Sequence, residues 1–256
     1  MSENHVISFQ FPGLPEVGCA FTTRKGGVSQ GPYAWNNLSY SVGDQERNVQ
    51  RNRDCLQAQL DVQSLCCLQQ IHSSKMVCIQ EQHTQPGPVQ QADAMTAELQ
   101  GLALMIQTAD CQPLLLAHCS GKYIAALHVG WRANRAGAPG QWVQQFCRTY
   151  ALRPDDILAV RGPSLGPWNS QFLNFEQEWG QEFLPYFQPE TRTMDLWSLT
   201  RDQLLQAGVP EQSIFSLDLC TFQLQQEFFS YRRQGVCGRQ AGLIWIRQPW
   251  DQHRVS

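Results

Sequence analysis

Leu102-Ala103-Leu104-Met105-Ile106-Gln107-Thr108-Ala109-Asp110-Cys111-Gln112-Pro113-Leu114-Leu115-Leu116, followed after a short polar break by Tyr123-Ile124-Ala125-Ala126-Leu127-His128, is the stretch on which the fold turns. It holds three apolar runs of strand length, and their near-continuous apolar character implies strands buried on both faces. Ile157-Leu158-Ala159-Val160 and Leu243-Ile244-Trp245-Ile246 repeat the pattern further along. Between these runs the spacing turns helical. Val49, Leu56 and Leu60 fall on one helical face, and Trp142, Val143, Phe146, Cys147 and Tyr150 follow Pro139, a good first-turn residue. A third helix is expected from about Leu199 to Ala207, stopped by Gly208 with Pro210 behind it. Strands and helices are interspersed, so the class is mixed α/β (α+β), expected as a single compact domain over residues 1–256. Because their spacing is irregular, mixed β-sheets flanked by helices are expected rather than a parallel βαβ series.

Two of the apolar runs deliver a metal-capable residue. Cys111 follows the first, and His128 closes the third, before Gly130-Trp131-Arg132, which reads as a turn. A third such residue, His72, closes Gln70-Ile71-His72, expected as a buried strand or its edge. Two imidazoles and a thiolate suit one zinc ion, and three protein ligands leave a fourth tetrahedral position for water, whose pKa the ion lowers toward neutrality. A free cysteine or a lone histidine on an apolar face is more commonly packed core. The recurrence at strand ends is what singles these three out.

Composition narrows the function. A net charge of −3 and a pI near 6.1 give no basic field, which disfavours a nucleic-acid partner. No apolar run is long enough to cross a membrane and the first residues lack a signal-peptide pattern, so a cytoplasmic protein is expected. The ten cysteines are scattered, and Cys19, Cys55, Cys66 and Cys147 read as reduced, buried side chains. The segment from Gln82 to Pro88 reads as a surface loop.

Several chemistries are excluded by what is missing. There is no His-Glu-x-x-His helix, no cytidine-deaminase signature and no Cys-x-x-Cys pair. Gly162-Pro163-Ser164-Leu165-Gly166 matches a nucleophile elbow, but the only later histidine is His253 in a polar tail, so hydrolase triad chemistry is rejected. Thr22 to Ser29 reads as a glycine-rich cationic turn for an anionic or polyol ligand, or else as an exposed hairpin. Tyr231-Arg232-Arg233 and Gly238-Arg239 form a second cationic cluster.

Taken in order, Phe21-Thr22-Thr23-Arg24-Lys25-Gly26-Gly27-Val28-Ser29, Asn37-Leu38, Asn52-Arg53, Gln70-Ile71-His72, Ala92-Asp93-Ala94-Met95-Thr96, Thr108-Ala109-Asp110-Cys111, His128-Val129-Gly130-Trp131-Arg132, the Gly162 to Gly166 segment, Cys220-Thr221, and Phe229-Ser230-Tyr231-Arg232-Arg233 with Gly238-Arg239 span nearly the whole chain. Together they resemble the laccase-domain, polyphenol oxidase-like family. The resemblance implies a zinc-dependent purine nucleoside enzyme with His72, Cys111 and His128 as metal ligands. Its implied reactions are phosphorolysis of adenosine, inosine and methylthioadenosine, and deamination of adenosine, with nucleoside and phosphate as partners of a monomer. It places Arg24, Asn37, Arg132, Ser230, Arg232 and Arg239 toward the substrate, and Asp93 and Asp110 adjoin motifs as acid/base candidates. Some members are linked instead to editing of peptidoglycan precursors, which suits Cys111 as nucleophile and His128 as its base. A non-catalytic, zinc-stabilised nucleotide-binding module is the third reading. Copper can replace zinc at such a site, but the chain's six histidines include no His-x-His, which disfavours multicopper laccase chemistry. Two departures stand out: Pro167-Trp168-Asn169-Ser170-Gln171-Phe172-Leu173 replaces the family's usual continuation, and Ala133 stands where a glycine is usual.

Overall fold

Period-two alternation explains the long apolar runs. Leu102, Leu104 and Ile106 belong to one buried cluster, whereas Ala103 and Met105 belong to another that includes Leu56. This strand therefore has two dry faces, and hydrophobic residues occupy both.

The computed structural model describes residues 4–82 and 88–248, so most of the loop expected between Gln82 and Pro88 lies outside the described residues. With elements numbered in chain order, one six-stranded sheet runs β1 (Val6–Phe9), β2 (Val17–Thr22), β14 (Gln240–Ile246), β7 (Leu102–Thr108), β3 (Ser64–Gln69), β5 (Pro88–Gln91). A second runs β13 (Ile214–Ser216), β10 (Ile157–Arg161), β8 (Gln112–His118), β9 (Ile124–Val129), β6 (Ala94–Ala97), β4 (Met76–Cys78). A short ribbon pairs β11 (Phe187–Gln188) with β12 (Thr193–Met194). Both large sheets are mixed, as expected: β3 is parallel to β7 and to β5, β10 to β13 and β4 to β6, and the other pairings are antiparallel.

Helices α1 (Glu46–Leu60), α2 (Trp131–Arg135), α3 (Ala138–Tyr150), α4 (Phe175–Glu178), α5 (Leu196–Gln206) and α6 (Tyr231–Gln234) complete the fold. The inner faces of the two sheets share one core, in which Leu104 and Ile244 of the first meet Leu115 and Ile124 of the second. Outside the first sheet lies α1; outside the second lie α3 and α5, with Trp142, Phe146 and Leu204 against Leu114, Leu116 and Leu127. Burying each of these large side chains contributes about 2–3 kcal/mol. The order of layers is therefore helix, sheet, sheet, helix. None of the helices described is long and apolar enough to cross a membrane.

Three local expectations are corrected. The third helix starts at Leu196 rather than near Leu199, because the Asp195 carboxylate accepts from the Ser198 amide at 2.9 Å and caps it. Gly130-Trp131-Arg132 opens the short helix α2 rather than a turn: the Asn134 amide donates to the Gly130 carbonyl at 3.1 Å. Cys55 is only half-buried, since its face of α1 looks partly to solvent, whereas Cys19, Cys66 and Cys147 are buried thiols.

What matters for the site is where the chain changes sheets. β7 ends at Thr108 in the first sheet and β8 begins at Gln112 in the second, so the residues around Cys111 form the crossing. β9 lies antiparallel to β8 with His128 opposite Pro113, two residues from Cys111.

Candidate active site

The crossing turn is held under strain. Asp110 has φ +97°, a conformation that non-glycine residues rarely adopt and that the surroundings must impose. Those surroundings are visible: its carbonyl accepts from the Leu165 amide at 2.8 Å, and its carboxylate accepts from the Thr221 hydroxyl at 2.7 Å and the Arg232 amide at 2.6 Å. Cys111 is presented at the end of this clamped turn.

His128 is buried in β9, and His72 sits three residues beyond β3 with φ +57°. The expectation of a buried strand or edge for Gln70-Ile71-His72 is thus corrected, since His72 is exposed and Ile71 is 45% exposed on a loop. An imidazole nitrogen from each histidine and the Cys111 sulfur nevertheless lie within 4.8 Å of one another. Gly130 makes this possible, because a β-carbon there would stand 3.0 Å from His72 Nδ1 and 3.3 Å from Cys111 Sγ.

Asp93, fully buried just before β6, holds both histidines. Its carboxylate accepts from His128 Nδ1 at 2.8 Å, the His72 amide at 2.9 Å, the Ser73 amide at 2.6 Å and hydroxyl at 2.8 Å, and the Ile71 amide at 3.3 Å. Burial alone would raise its pKa, but the donors from His128 and Ser73 outweigh it and hold the carboxyl at about 2. Burial likewise opposes protonation of His128, yet Cys111 and Asp93 raise its pKa to about 9. His72 is shifted the other way, lowered by partial desolvation of its ring and then by the neighbouring His128. With Nδ1–H donated to Asp93, His128 turns its Nε2 lone pair away from the carboxylate. Two imidazoles and a thiol so arranged fit a borderline-soft divalent cation.

The three donors line a cavity of about 560 Å³, a size suited to a small organic ligand. Arg132, Arg232 and Arg239 line it too, as do the aromatic rings of Trp131, Phe172 and Tyr231. The other residues expected at the substrate lie elsewhere. The Arg24 guanidinium is spent on the carbonyls of Ala34 and Gln225 and packs 4.7 Å from the Phe229 ring centroid. Asn37 is fully buried and supports the cavity from behind, its Oδ1 accepting from the Arg239 amide at 2.9 Å. Ser230 is also buried and caps α6, accepting from the Arg233 amide at 3.2 Å. Asp93 does not line the cavity, and Asp110 lines it with both carboxylate oxygens engaged.

Thr22 to Ser29 is neither an exposed hairpin nor a cavity wall. Thr22, Thr23 and Ser29 are buried, and Asn52 of α1 ties the segment down, accepting from the Val28 amide at 2.9 Å and donating to Ser29 Oγ at 3.0 Å. The Ser164 hydroxyl is fully buried and accepts from Trp197 Nε1 at 2.9 Å. Gly162 in that motif serves close packing, because a β-carbon there would stand 2.2 Å from the Phe21 ring. The aromatic wall was missed from the sequence. Phe172 falls in the segment where the sequence departs from its family, and Tyr231 in the cationic cluster, but no periodicity marks either as cavity-lining.

Comparison with known proteins bears on this site. Residues 18–247 match the model of a family described as multi-copper polyphenol oxidoreductase laccase. A purine nucleoside phosphorylase of Pseudomonas aeruginosa is 32% identical over 252 residues, covering 95% of this chain and 99% of that protein. The Escherichia coli purine nucleoside phosphorylase YfiH is 31% identical over 246 residues, covering 93% and 97%. Among solved structures, a Neisseria meningitidis protein superposes with a TM-score of 0.82 at 30% identity, covering 95% of this chain and 99% of that one. YlmD from Geobacillus stearothermophilus gives 0.83 at 27% identity, covering 93% and 94%.

Proposed function

We propose, on the premise that this chain belongs to the family described as multi-copper polyphenol oxidoreductase laccase, that it is a zinc-dependent purine nucleoside phosphorylase. The observation that carries the reading is the convergence of His72, Cys111 and His128 on one wall of a cavity whose other walls are cationic and aromatic. Copper-centred phenol oxidation is disfavoured, because a multicopper site needs several centres rich in paired imidazoles and the chain has six histidines in all.

In phosphorolysis, Arg132, Arg232 and Arg239 bind the phosphate anion and hold it for attack on the glycosidic carbon. The faces of Trp131, Phe172 and Tyr231 cover the purine and exclude water. His72, Cys111 and His128 hold the zinc, which supplies Lewis acidity when bound. Asp93 acts as a positioning residue: it fixes the tautomer of His128 and the backbone around His72. Adenosine, inosine and methylthioadenosine are the proposed substrates, and hydrolytic deamination of adenosine the second reaction of the same cavity. The non-catalytic module is the weaker reading: a closed structural site needs a fourth protein ligand, and the two candidates the motifs offer, Asp110 and Cys220, are engaged elsewhere. Asp110 is tied to Thr221 and Arg232, and Cys220 accepts from the Gly166 amide at 3.2 Å.

One observation favours a second reading. Cys111, His128 and Asp93 stand in the order nucleophile, base and orienting acid, an arrangement that also serves thiol-dependent amide cleavage. Metal occupancy separates the two. The test is zinc-loaded protein with inosine or adenosine, with and without phosphate, products resolved by chromatography. Phosphate-dependent release of hypoxanthine or adenine is expected, and inosine from adenosine without phosphate reports deamination. If zinc is bound and none of these products forms, the purine reading fails; rapid alkylation of Cys111 in metal-free purified protein then favours amide cleavage.

A further inference from the structure

The strand that starts beside Cys111 ends at a second cluster of metal-capable side chains. His118, the last residue of β8, lies with Cys119 and Asp156 so that one donor atom of each falls within 4.8 Å of the others. From this geometry we infer a second metal site, built from His118 Nε2, Cys119 Sγ and an Asp156 carboxylate oxygen, that takes Zn²⁺ or another borderline-soft divalent cation.

Backbone structure brings the three together. β8 and β10 pair with His118 opposite Ile157, which sets Asp156 beside Cys119, and the Cys119 amide donates to the Asp156 carbonyl at 2.8 Å. The other side of the turn is closed by the His118 amide on the Tyr123 carbonyl at 3.0 Å and the Gly121 amide on the His118 carbonyl at 2.8 Å. His118 Nδ1 accepts from the Ser120 amide at 3.2 Å and lies 2.8 Å from the Ser120 hydroxyl, so a cation at Nε2 requires the ring proton to move to Nδ1, where the hydroxyl accepts it in place of the amide bond. Cys119 Sγ and His118 Nε2 are 4.0 Å apart, a few tenths of an ångström more than the roughly 3.6 Å that bonds of about 2.3 and 2.05 Å to one tetrahedral zinc require. Slight closing of two side chains at an exposed turn makes up the difference. Partial burial and then the Asp156 carboxylate raise the Cys119 pKa, a repulsion that a cation between them removes.

On binding, Cys119 gives up its thiol proton to solvent and the thiolate takes the metal, with no change of oxidation state. Seven residues of extended chain put this site about 23 Å from Cys111. It is remote from the cavity, and its effect is to clamp the β8–β9 turn to the start of β10.

Cobalt reads thiolate ligation directly. A protein carrying Cys111→Ser, titrated with Co²⁺, is expected to keep a sulfur-to-cobalt charge-transfer band and to lose it when Cys119→Ser is added. Absence of the band from the single variant, or its persistence in the double one, overturns the proposal. In the unsubstituted protein, Zn²⁺ is expected to slow iodoacetamide labelling of Cys119, followed by peptide mass, by about tenfold or more, and Asp156→Asn to abolish most of that protection. An unchanged labelling rate overturns the proposal without reliance on any variant.

Discussion

The two ends of β8 carry related donor sets in different settings, two imidazoles and a thiol at one and an imidazole, a thiol and a carboxylate at the other. At the Cys111 end, a fully buried carboxylate that accepts five hydrogen bonds locks both histidines, and the turn bearing the thiol is clamped at φ +97° on Asp110. At the His118 end, the donors are half-buried or exposed, and among the described residues Ser120 alone, through its amide and hydroxyl, meets the imidazole Nδ1. Similar ligand chemistry therefore does not make equivalent sites. What separates them is preorganisation: at the first end folding has already met the cost of ordering the donors, whereas at the second the ion must meet it.

The sharpest test of this contrast is removal of a thiol at each end. Cys111→Ala is expected to strip the cavity of metal and to lower kcat/KM for inosine by on the order of 10³-fold, the scale of lost electrostatic stabilisation. Cys119→Ala is expected to leave kcat/KM within about twofold, since surface changes away from a site perturb little. Equal losses would erase the distinction.

Supporting residues come next. Asp93→Asn is expected to weaken zinc binding in the cavity by about 10–100-fold, measured by chelator competition, whereas Ser120→Ala costs the other end less than about tenfold. A larger effect at Ser120 would reverse the ranking. The pH dependence of metal-free protein probes the same carboxylate and its partner. Asp93 is depressed to about 2, so its contribution to stability is present above the ordinary carboxylate range and is lost as pH falls toward 2. His128 is raised to about 9, so its contribution is full below about 6.5 and is lost as pH rises through 9. Metal binding needs the neutral imidazole, so zinc affinity rises across that same upper window. The melting temperature of metal-free protein is expected to fall by several degrees between pH 6.5 and 9 while that of zinc-loaded protein holds; parallel curves would remove the coupling.

The smallest expected effect is at Gly130. Its alanine variant places a β-carbon against His72 and Cys111 and is expected to weaken zinc binding by a few-fold up to about tenfold while sparing the fold, because the glycine has an ordinary φ of −84° and is needed only for space. Circular dichroism beside a zinc titration separates the two possibilities, and an unchanged affinity would show that the donors relax freely.

Much of this was legible beforehand for a local reason. The strands at 102–106, 114–116 and 124–127 are dry on both faces, so their composition alone marks them, and the three metal-capable residues stand at or just beyond strand ends. Asp93 stood out in the sequence only as an acid/base candidate beside a motif, not as the group that orients the histidines. Nothing local says that a carboxylate will be buried under five donors drawn from residues 71–73 and 128, because those donors come from two distant segments. Arg24, Asn37 and Ser230 sit in motifs of the right kind yet face loops and caps, since a motif preserves a residue type without saying which way it points. His118 and Cys119 drew no attention, because their partner Asp156 is remote in sequence and reaches them through the pairing of β8 with β10.

By itself, then, the order of residues determined the class of fold, the buried strands and the identity of the cavity's metal-capable donors, because each follows from short-range pattern and side-chain chemistry. Tertiary structure alone decided which carboxylate orients them, which arginines and rings face the cavity, and that a second donor set assembles at the far end of the same strand. These depend on sheet crossing and strand register, which bring together residues that no periodicity connects.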